Sequence, residues 1–270
     1  MNSSWFRVIS GLACLLFFTN VYAQSAILDT FSTKLNISRS IIDKFISDVP
    51  KIDRTSQFPT KIVVEDITID NKKDTTKSVS SEMTLSPIEG GIMSIIKIGK
   101  NPDGTGVGAQ TISYLGIVNL GEYSYDHFEQ RIGAAPGVLG LIPLFQIKKN
   151  VDLTLLISLV AFDGNLENIA NPESNNKWSF TSKVKTIYKK FKFDQKVSTD
   201  CIVSDKIEAS TLHPKLSGRA IIVISSVKLE GNPGFTKTYA FLENYKWYFL
   251  IQSAANDGKW REFHKIVSVE

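Results

Sequence analysis

Cysteine and histidine are scarce in this sequence. Its 270 residues include two cysteines, Cys14 and Cys201, and three histidines. Cys14 lies in an apolar N-terminal segment that we expect to be removed, so Cys201 would have no intramolecular partner. A disulfide-stapled scaffold is therefore excluded, and we expect Cys201 to be a buried small apolar residue rather than a nucleophile. No metal site is expected, because the histidines have none of the recognised ligand spacings.

The sequence also lacks every complete local catalytic signature. It has no nucleophile elbow, no paired-histidine metalloprotease helix, no cysteine pair for zinc and no phosphate-binding glycine loop followed by lysine. No cofactor is expected. An enzyme built on this chain would need residues that are distant in sequence.

Neither sign of charge dominates. There are 31 Lys and Arg against 27 Asp and Glu, which gives a net charge of +4. A nucleic-acid-binding protein would concentrate Lys and Arg in a strongly basic domain, so no nucleic-acid partner is expected. The 43% hydrophobic content is high enough to build a folded core, which excludes a disordered chain.

The first residues are typical of a signal peptide. Met1–Arg7 carries one positive charge, the following apolar run ends at Phe18, and Val21-Tyr22-Ala23 fits a cleavage site. We therefore interpret residues 1–23 as a signal peptide and expect an exported protein, periplasmic or secreted, that begins at Gln24. The apolar run is about a dozen residues, whereas a spanning helix needs roughly 20, so no stable membrane span is expected after cleavage.

A helical N-terminal segment is predicted over residues 24–55. Apolar residues recur there at three- and four-residue steps, which places them on one helix face. The pattern predicts two short amphipathic helices, the second starting at Ser40 and ending before Pro50. The apolar positions are Ile27, Phe31, Leu35, Ile41, Phe45 and Val49.

From Thr60 onward the apolar residues alternate with polar ones, which predicts strands. The turn residues between them indicate an antiparallel meander. We expect a mainly β protein whose antiparallel sheets form a sandwich-like assembly or two β units. The units would span residues 56–163 and 178–270 and be joined by an Asn-rich linker at 164–177. The apolar run Val151–Phe162 predicts a strand buried on both faces.

Three residues are weak candidates for catalysis. Asp126, His127 and Glu129 could supply a base with an orienting acid. Adjacent residues point in different directions on a strand or helix, which weighs against this role. Glu262 and His264 share one face of the last predicted strand, and His213 precedes Pro214 in a predicted loop. We expect these three to be surface groups.

The segment Gly133–Phe145 is unusual in composition. Its glycines and prolines disfavour regular strand or helix, yet its other residues are too apolar for a solvated loop. Either the protein's own sheets cover it, or it contacts a ligand or partner protein. The candidate contact residues are Val138, Leu139, Leu141 and Ile142.

Lysines and aromatic residues are interleaved between residues 183 and 196. This pattern could bind an anionic polymer or membrane surface, but a solvated strand face or lysine-protected edge is the favoured interpretation. The lysines are Lys183, Lys185, Lys189, Lys190, Lys192 and Lys196, and the aromatic residues are Tyr188, Phe191 and Phe193.

These patterns together favour an exported, non-enzymatic β-rich protein that binds another protein or a ligand in the cell envelope. Two alternatives stay open. One is a secreted hydrolase of a cell-envelope polymer that uses Asp126, His127 or Glu129. The other is a periplasmic immunity or inhibitor protein that neutralises a toxin.

Overall fold

The computed structural model describes residues 37–47, 57–88, 90–100, 106–126, 130–137, 140–147, 153–174, 176–188, 191–230 and 232–270. The predicted signal peptide and the first predicted helix lie outside these ranges. In the described part of the chain, no helix combines the length and apolar character that crossing a membrane requires.

Fourteen strands make up most of the described chain. They are β1 Lys61–Asp70, β2 Thr75–Pro87, β3 Ile92–Lys100, β4 Gly106–Tyr114, β5 Val118–Asp126, β6 Gln130–Gly137, β7 Gly140–Ile147, β8 Leu153–Gly164, β9 Lys177–Tyr188, β10 Phe191–Glu208, β11 Arg219–Leu229, β12 Asn232–Leu242, β13 Trp247–Ala255 and β14 Trp260–Val269. Helix α1 spans Arg39–Ser47 and helix α2 spans Leu166–Ala170. Short 3-10 turns lie at Pro172–Ser174 and Ala209–Thr211.

Twelve of the strands form one closed antiparallel barrel, in the order β1-β14-β13-β12-β11-β10-β9-β8-β5-β4-β3-β2. The mainly β, antiparallel prediction is confirmed, but the sheet is a closed barrel and the expected sandwich-like assembly is wrong. The barrel closes because β1 pairs with β14 along its whole length, from Ile62 opposite Val269 to Asp70 opposite Trp260. Register shifts, for example between Val63 and Val64, let the strands bend as closure requires.

The predicted linker at 164–177 connects two neighbouring strands of this one sheet. Strands β8 and β9 flank it and pair with each other, from Gly164 opposite Phe180 to Leu155 opposite Tyr188. Between them Asn165 caps α2, its side chain accepting hydrogen bonds from the backbone N–H groups of Glu167 at 2.8 Å and Asn168 at 3.3 Å. Short polar residues favour such caps, so Asn165 serves as the start of this helix.

The two ends of the barrel differ. At one end, here called the helical end, strands β2, β4, β8, β10, β12 and β14 finish. The N-terminal helix α1 packs there, with the buried ring of Phe45 5.3 Å from the ring of Tyr114 and 4.9 Å from that of Phe162. The hydroxyl of Tyr248 donates a hydrogen bond of 2.7 Å to the carbonyl of Ile169 and anchors α2. Packed side chains therefore fill the helical end.

At the other end, here called the hairpin end, strands β1, β3, β5, β9, β11 and β13 finish. The β6–β7 hairpin lies in the connection between β5 and β8 at this end. It forms a separate two-stranded sheet, from Gln130 opposite Ile147 to Gly137 opposite Gly140. The expectation that Gly133–Phe145 would avoid regular strands is therefore wrong. Both strands of such a pair are edges, where proline is tolerated.

The contact residues proposed in that segment are only partly placed. Val138 and Leu139 lie outside the described residues. Leu141 and Ile142 are backbone positions of β7, opposite Pro136 and Ala135. The contact surface stays a prediction.

Strand β8 largely fits the predicted buried strand at 151–162. Ser158 and Leu159 are buried, while Val160 is exposed on the outer face of the barrel. Burial on both faces therefore holds for part of the strand only.

Candidate ligand-binding site

A twelve-stranded barrel has a wider interior than an eight-stranded one, which side chains alone just fill. Large aromatic side chains occupy much of this interior, among them Trp247, Tyr248 and Phe241. The described residues line several cavities, and three of them bear on the site. A central cavity of about 360 Å³ shares Lys237 and Asn119 with a side cavity of about 270 Å³. It shares Lys97 and Ala109 with a hairpin-end cavity of about 260 Å³.

A buried polar network lies between the central and hairpin-end cavities. It is centred on Asp66 of β1, which stands opposite His264 of β14 in the strand register. Nδ1 of His264 is 2.6 Å from Oδ1 of Asp66. Ser81 of β2 donates a hydrogen bond of 2.6 Å to Oδ2, and Nζ of Lys97 on β3 donates one of 2.8 Å to Oδ1. Four neighbouring strands thus contribute one residue each.

The network keeps Asp66 ionised. Burial raises the pKa of this carboxyl, but the hydrogen bond with His264, the positive charge of Lys97 and the hydrogen bonds from Lys97 and Ser81 outweigh it and lower the pKa to about 2. A carboxylate only accepts hydrogen bonds, so Nδ1 of His264 carries the proton in this pair. In the neutral ring, Nε2 of His264 is then a hydrogen-bond acceptor.

A second polar group lines the central cavity farther along the barrel wall. Burial raises the pKa of Glu122 on β5, against the nearby charge of Lys237 and a hydrogen bond from Asn119. That bond runs from Nδ2 of Asn119 to Oε2 of Glu122 at 3.0 Å. Within the described residues Lys237 makes no ion pair, and its Nζ lies 5.4 Å from the ring centre of Phe235. Lys237 lines both the central and the side cavity.

Several buried polar atoms of the central cavity's lining residues have no hydrogen-bond partner among the described residues. They are Oγ of Ser113, Oδ1 of Asn119, Nε1 of Trp247 and Nε2 of His264. Nearly all buried polar groups in folded proteins are hydrogen-bonded to protein, water or ligand. Of the six unpartnered buried atoms among the described residues, four thus belong to residues around this one cavity.

Two further unpartnered buried atoms, the hydroxyl oxygen of Tyr114 and Nε1 of Trp178, belong to residues outside this cavity lining, whereas another buried network of the sheet is satisfied. On the opposite face of β3–β5, Gln110 donates a hydrogen bond of 2.8 Å to Ser94 and accepts one from the hydroxyl of Tyr123. All three are buried. That network holds strands together and leaves nothing for a ligand.

The candidate catalytic residues predicted from sequence are not part of this site. Asp126 is the last residue of β5 at the hairpin end, opposite Val107, and His127 and Glu129 lie outside the described residues. Their catalytic role stays a prediction. Among the described side chains, no group of three or more His, Cys, Asp and Glu could hold a metal ion.

The prediction that Glu262 and His264 share a face is confirmed, with 3.7 Å between Oε2 and Nε2. The expectation that His264 is a surface group is wrong. His264 is buried and lines the central cavity, so this face of β14 is turned to the barrel interior. His213 lies in the predicted loop, where its Nδ1 accepts a hydrogen bond of 3.3 Å from the backbone N–H of Lys215.

Asp66, Ser81, Lys97 and Glu122 were not identified from sequence. The sequence does contain a pattern that indicates Asp66. It follows Ile62 and Val64 at two-residue steps along β1, so it lies on the same buried face as these apolar residues. A charged residue in the apolar register of a strand is costly to bury unless it is paired, so it marks a buried network or site.

The fold and site define a closed antiparallel β-barrel with ligand-sized internal cavities. Comparison with protein-family models, with curated proteins and with solved structures found no match in any of the three.

Proposed function

We propose that the protein binds a small molecule inside the barrel, in the central cavity. The observation that carries this proposal is the set of four unpartnered buried polar atoms around one cavity, in Ser113, Asn119, Trp247 and His264. A binding site of this kind combines a mainly apolar wall with a few fixed polar groups. At about 360 Å³ the cavity lies at the lower end of the volumes of small-molecule sites, roughly 300–1,000 Å³.

The lining predicts the chemistry of the ligand. Met83, Ile95 and Phe249 favour an apolar body. Nε2 of His264 and Oδ1 of Asn119 accept hydrogen bonds, so the ligand would carry donors such as hydroxyl or amide groups. Nε1 of Trp247 and the ammonium of Lys237 donate, so it would also carry an acceptor or an anionic group. An amphipathic molecule with a hydroxyl and a carboxylate fits this set.

The signal-like N-terminus supports a location outside the cytoplasm, so we propose a carrier or receptor of such a molecule in the periplasm or the secreted fraction. A partner protein could contact the β6–β7 hairpin through Val138, Leu139, Leu141 or Ile142, as the sequence predicts.

Hydrolysis is the second candidate. Its support is the imidazole of His264, oriented by Asp66 through Nδ1 with Nε2 unpartnered, which is the arrangement of a general base. Against it, no described hydroxyl lies within hydrogen-bond reach of Nε2, since Ser81 is bonded to Asp66 instead. The geometry therefore supports binding better than hydrolysis.

Binding can be tested with anilinonaphthalene sulfonate, a fluorescent probe with an apolar body and one anionic group. We expect saturable binding at a single site. Ala109→Leu, which extends a side chain into the central cavity, should abolish it, and Lys237→Met should weaken it about tenfold by removing the cation. Ala254→Leu, on β13 and outside the cavity lining, is the matched control.

Near-UV circular dichroism should be unchanged in all three variants, because this probe also binds partly unfolded chains. If Ala109→Leu and Lys237→Met bind the probe as well as Ala254→Leu does, the cavity is not the site and the proposal is wrong.

A further inference from the structure

The β9–β10 hairpin extends beyond its neighbouring strand β11 at the hairpin end of the barrel. Pairing between β10 and β11 begins at Val197 opposite Leu229, so β10 residues 191–196 precede the first pair with β11. They pair only with β9, from Phe191 opposite Tyr188 onward. This part of the hairpin, residues 183–196, is here called the β9–β10 tip.

Three aromatic side chains of the tip are exposed. Tyr188, Phe191 and Phe193 have 46%, 61% and 46% of their surface accessible. The register places them on the cavity side of the hairpin, in line with Thr186 and Gln195, which line the side cavity. The rings thus stand at the hairpin end of the barrel, where β11 no longer pairs with β10.

Four described lysines of the tip lie on its other face. Lys183, Lys185, Lys192 and Lys196 alternate with the cavity-side positions, and Lys183 forms an ion pair of 3.5 Å with Asp194. Between residues 183 and 196 the sequence has six lysines and one acidic residue, a net charge of +5. The whole chain carries only +4, so the remainder is slightly acidic. The positive charge of the protein is therefore concentrated at the tip.

A solvated strand face accounts for the lysines but not for three exposed rings next to them. Residues 191–196 of β10 have no pairing partner on the β11 side, so Lys192 and Lys196 also suit a protected free edge, but edge protection does not account for the three rings either. Exposed aromatic residues beside lysines suit the interface between an anionic lipid surface and water. The rings lie at headgroup depth there and each cation adds attraction.

We propose that the β9–β10 tip docks the protein on an anionic phospholipid surface. Tyr188, Phe191 and Phe193 insert among the headgroups while the lysines contact lipid phosphates. This surface is independent of the ligand proposed for the central cavity, and its test does not use that ligand.

The test is co-sedimentation of the purified protein with phosphatidylcholine vesicles, prepared with and without anionic phosphatidylglycerol. We expect binding to the anionic vesicles that weakens as salt is raised, because salt screens the lysine charges. Phe191→Ser with Phe193→Ser should lower the partition constant about tenfold or more. Every variant keeps the same N-terminus, so any contribution from that segment cancels.

The matched control is Ile202→Ser with Ile224→Ser, which removes two exposed apolar side chains that face each other on the outer wall of β10–β11. It should bind like the unchanged protein. Lys192→Gln with Lys196→Gln is a second test that leaves the rings in place and should weaken binding to anionic vesicles only. The proposal is overturned if the unchanged protein ignores the anionic lipid, or if the Phe and Ile pairs behave alike. It is also overturned if the Phe pair alters self-association instead.

Discussion

Replacing Asp66 with alanine tests the buried network most directly. The change leaves the ammonium of Lys97, the hydroxyl of Ser81 and Nδ1 of His264 without their common acceptor. Removing one partner of a buried ion pair costs about 3–5 kcal/mol of unfolding free energy. The Lys97 side chain is 33% exposed and can be partly hydrated, so we expect about 3 kcal/mol.

The pH dependence gives an independent measure of the same interaction. The network lowers the pKa of Asp66 from 3.8 to about 2, so the folded state binds the proton less tightly than the unfolded state does. The resulting stability, roughly 2 kcal/mol, is present above pH 4 and is lost as the pH falls towards 2. The stability difference between the unchanged protein and Asp66→Ala should therefore shrink over that window.

Urea unfolding followed by tryptophan fluorescence measures both effects. Asp200→Ala is the control, because the Asp200–Lys228 pair, at 2.9 Å, is about as short as the 2.8 Å Asp66–Lys97 pair, but both of its side chains are at least half exposed. Exposed pairs contribute at most about 1 kcal/mol. Adding Lys97→Met to Asp66→Ala should restore part of the lost stability. If Asp66→Ala costs no more than Asp200→Ala, the network does not stabilise the barrel and our reasoning about it fails.

Three further predictions concern other parts of the chain. Gly116→Ala should destabilise the fold by more than about 2 kcal/mol in urea unfolding, because its φ is +85° and a Cβ there would lie 2.5 Å from the carbonyl oxygen of Tyr248. Gly258→Ala, with φ +71° and nothing within 4 Å, should cost only about 1 kcal/mol, and equal losses would refute the steric argument. The buried thiol of Cys201, whose pKa burial raises to about 11, should not react with Ellman's reagent at pH 8 until the protein unfolds. Rapid reaction that Cys201→Ser removes would contradict this. N-terminal sequencing of the exported protein should begin at Gln24, and an intact Met1 would refute cleavage.

Alternation of apolar and polar residues identified most of the barrel strands, because one face of each lies in the interior. It could not identify closure. A strand half-buried in a sandwich and one half-buried in a barrel have the same alternation. The pairing that distinguishes them joins β1 to β14, which are nearly 200 residues apart in sequence, as in the contact between Asp66 and His264.

The candidate site was harder to predict for a related reason. Each network residue comes from a different strand, and none has a local motif. Only Glu262 and His264 form a pattern that the sequence shows, because residues two apart on one strand share a face. The Asn-rich segment has a composition typical of a loop, yet Asn165 starts a short helix. Composition alone could not predict that helix.

The strand pairs of the barrel are unequal in length, and this has a consequence for how ligand could reach the interior. Strands β9 and β10 pair from Lys177 opposite Ile202 to Tyr188 opposite Phe191, but β13 and β14 pair only at Gln252–Ala254 with Arg261–Phe263. Few hydrogen bonds hold β13 to β14. The amides of this strand pair should therefore exchange with solvent through local opening before those of β9–β10 do. Both of its strands line the central cavity, through Phe249 and His264. Separation of β13 from β14 would open the cavity through the barrel wall. A ligand too large for the ends of the barrel could enter by that route.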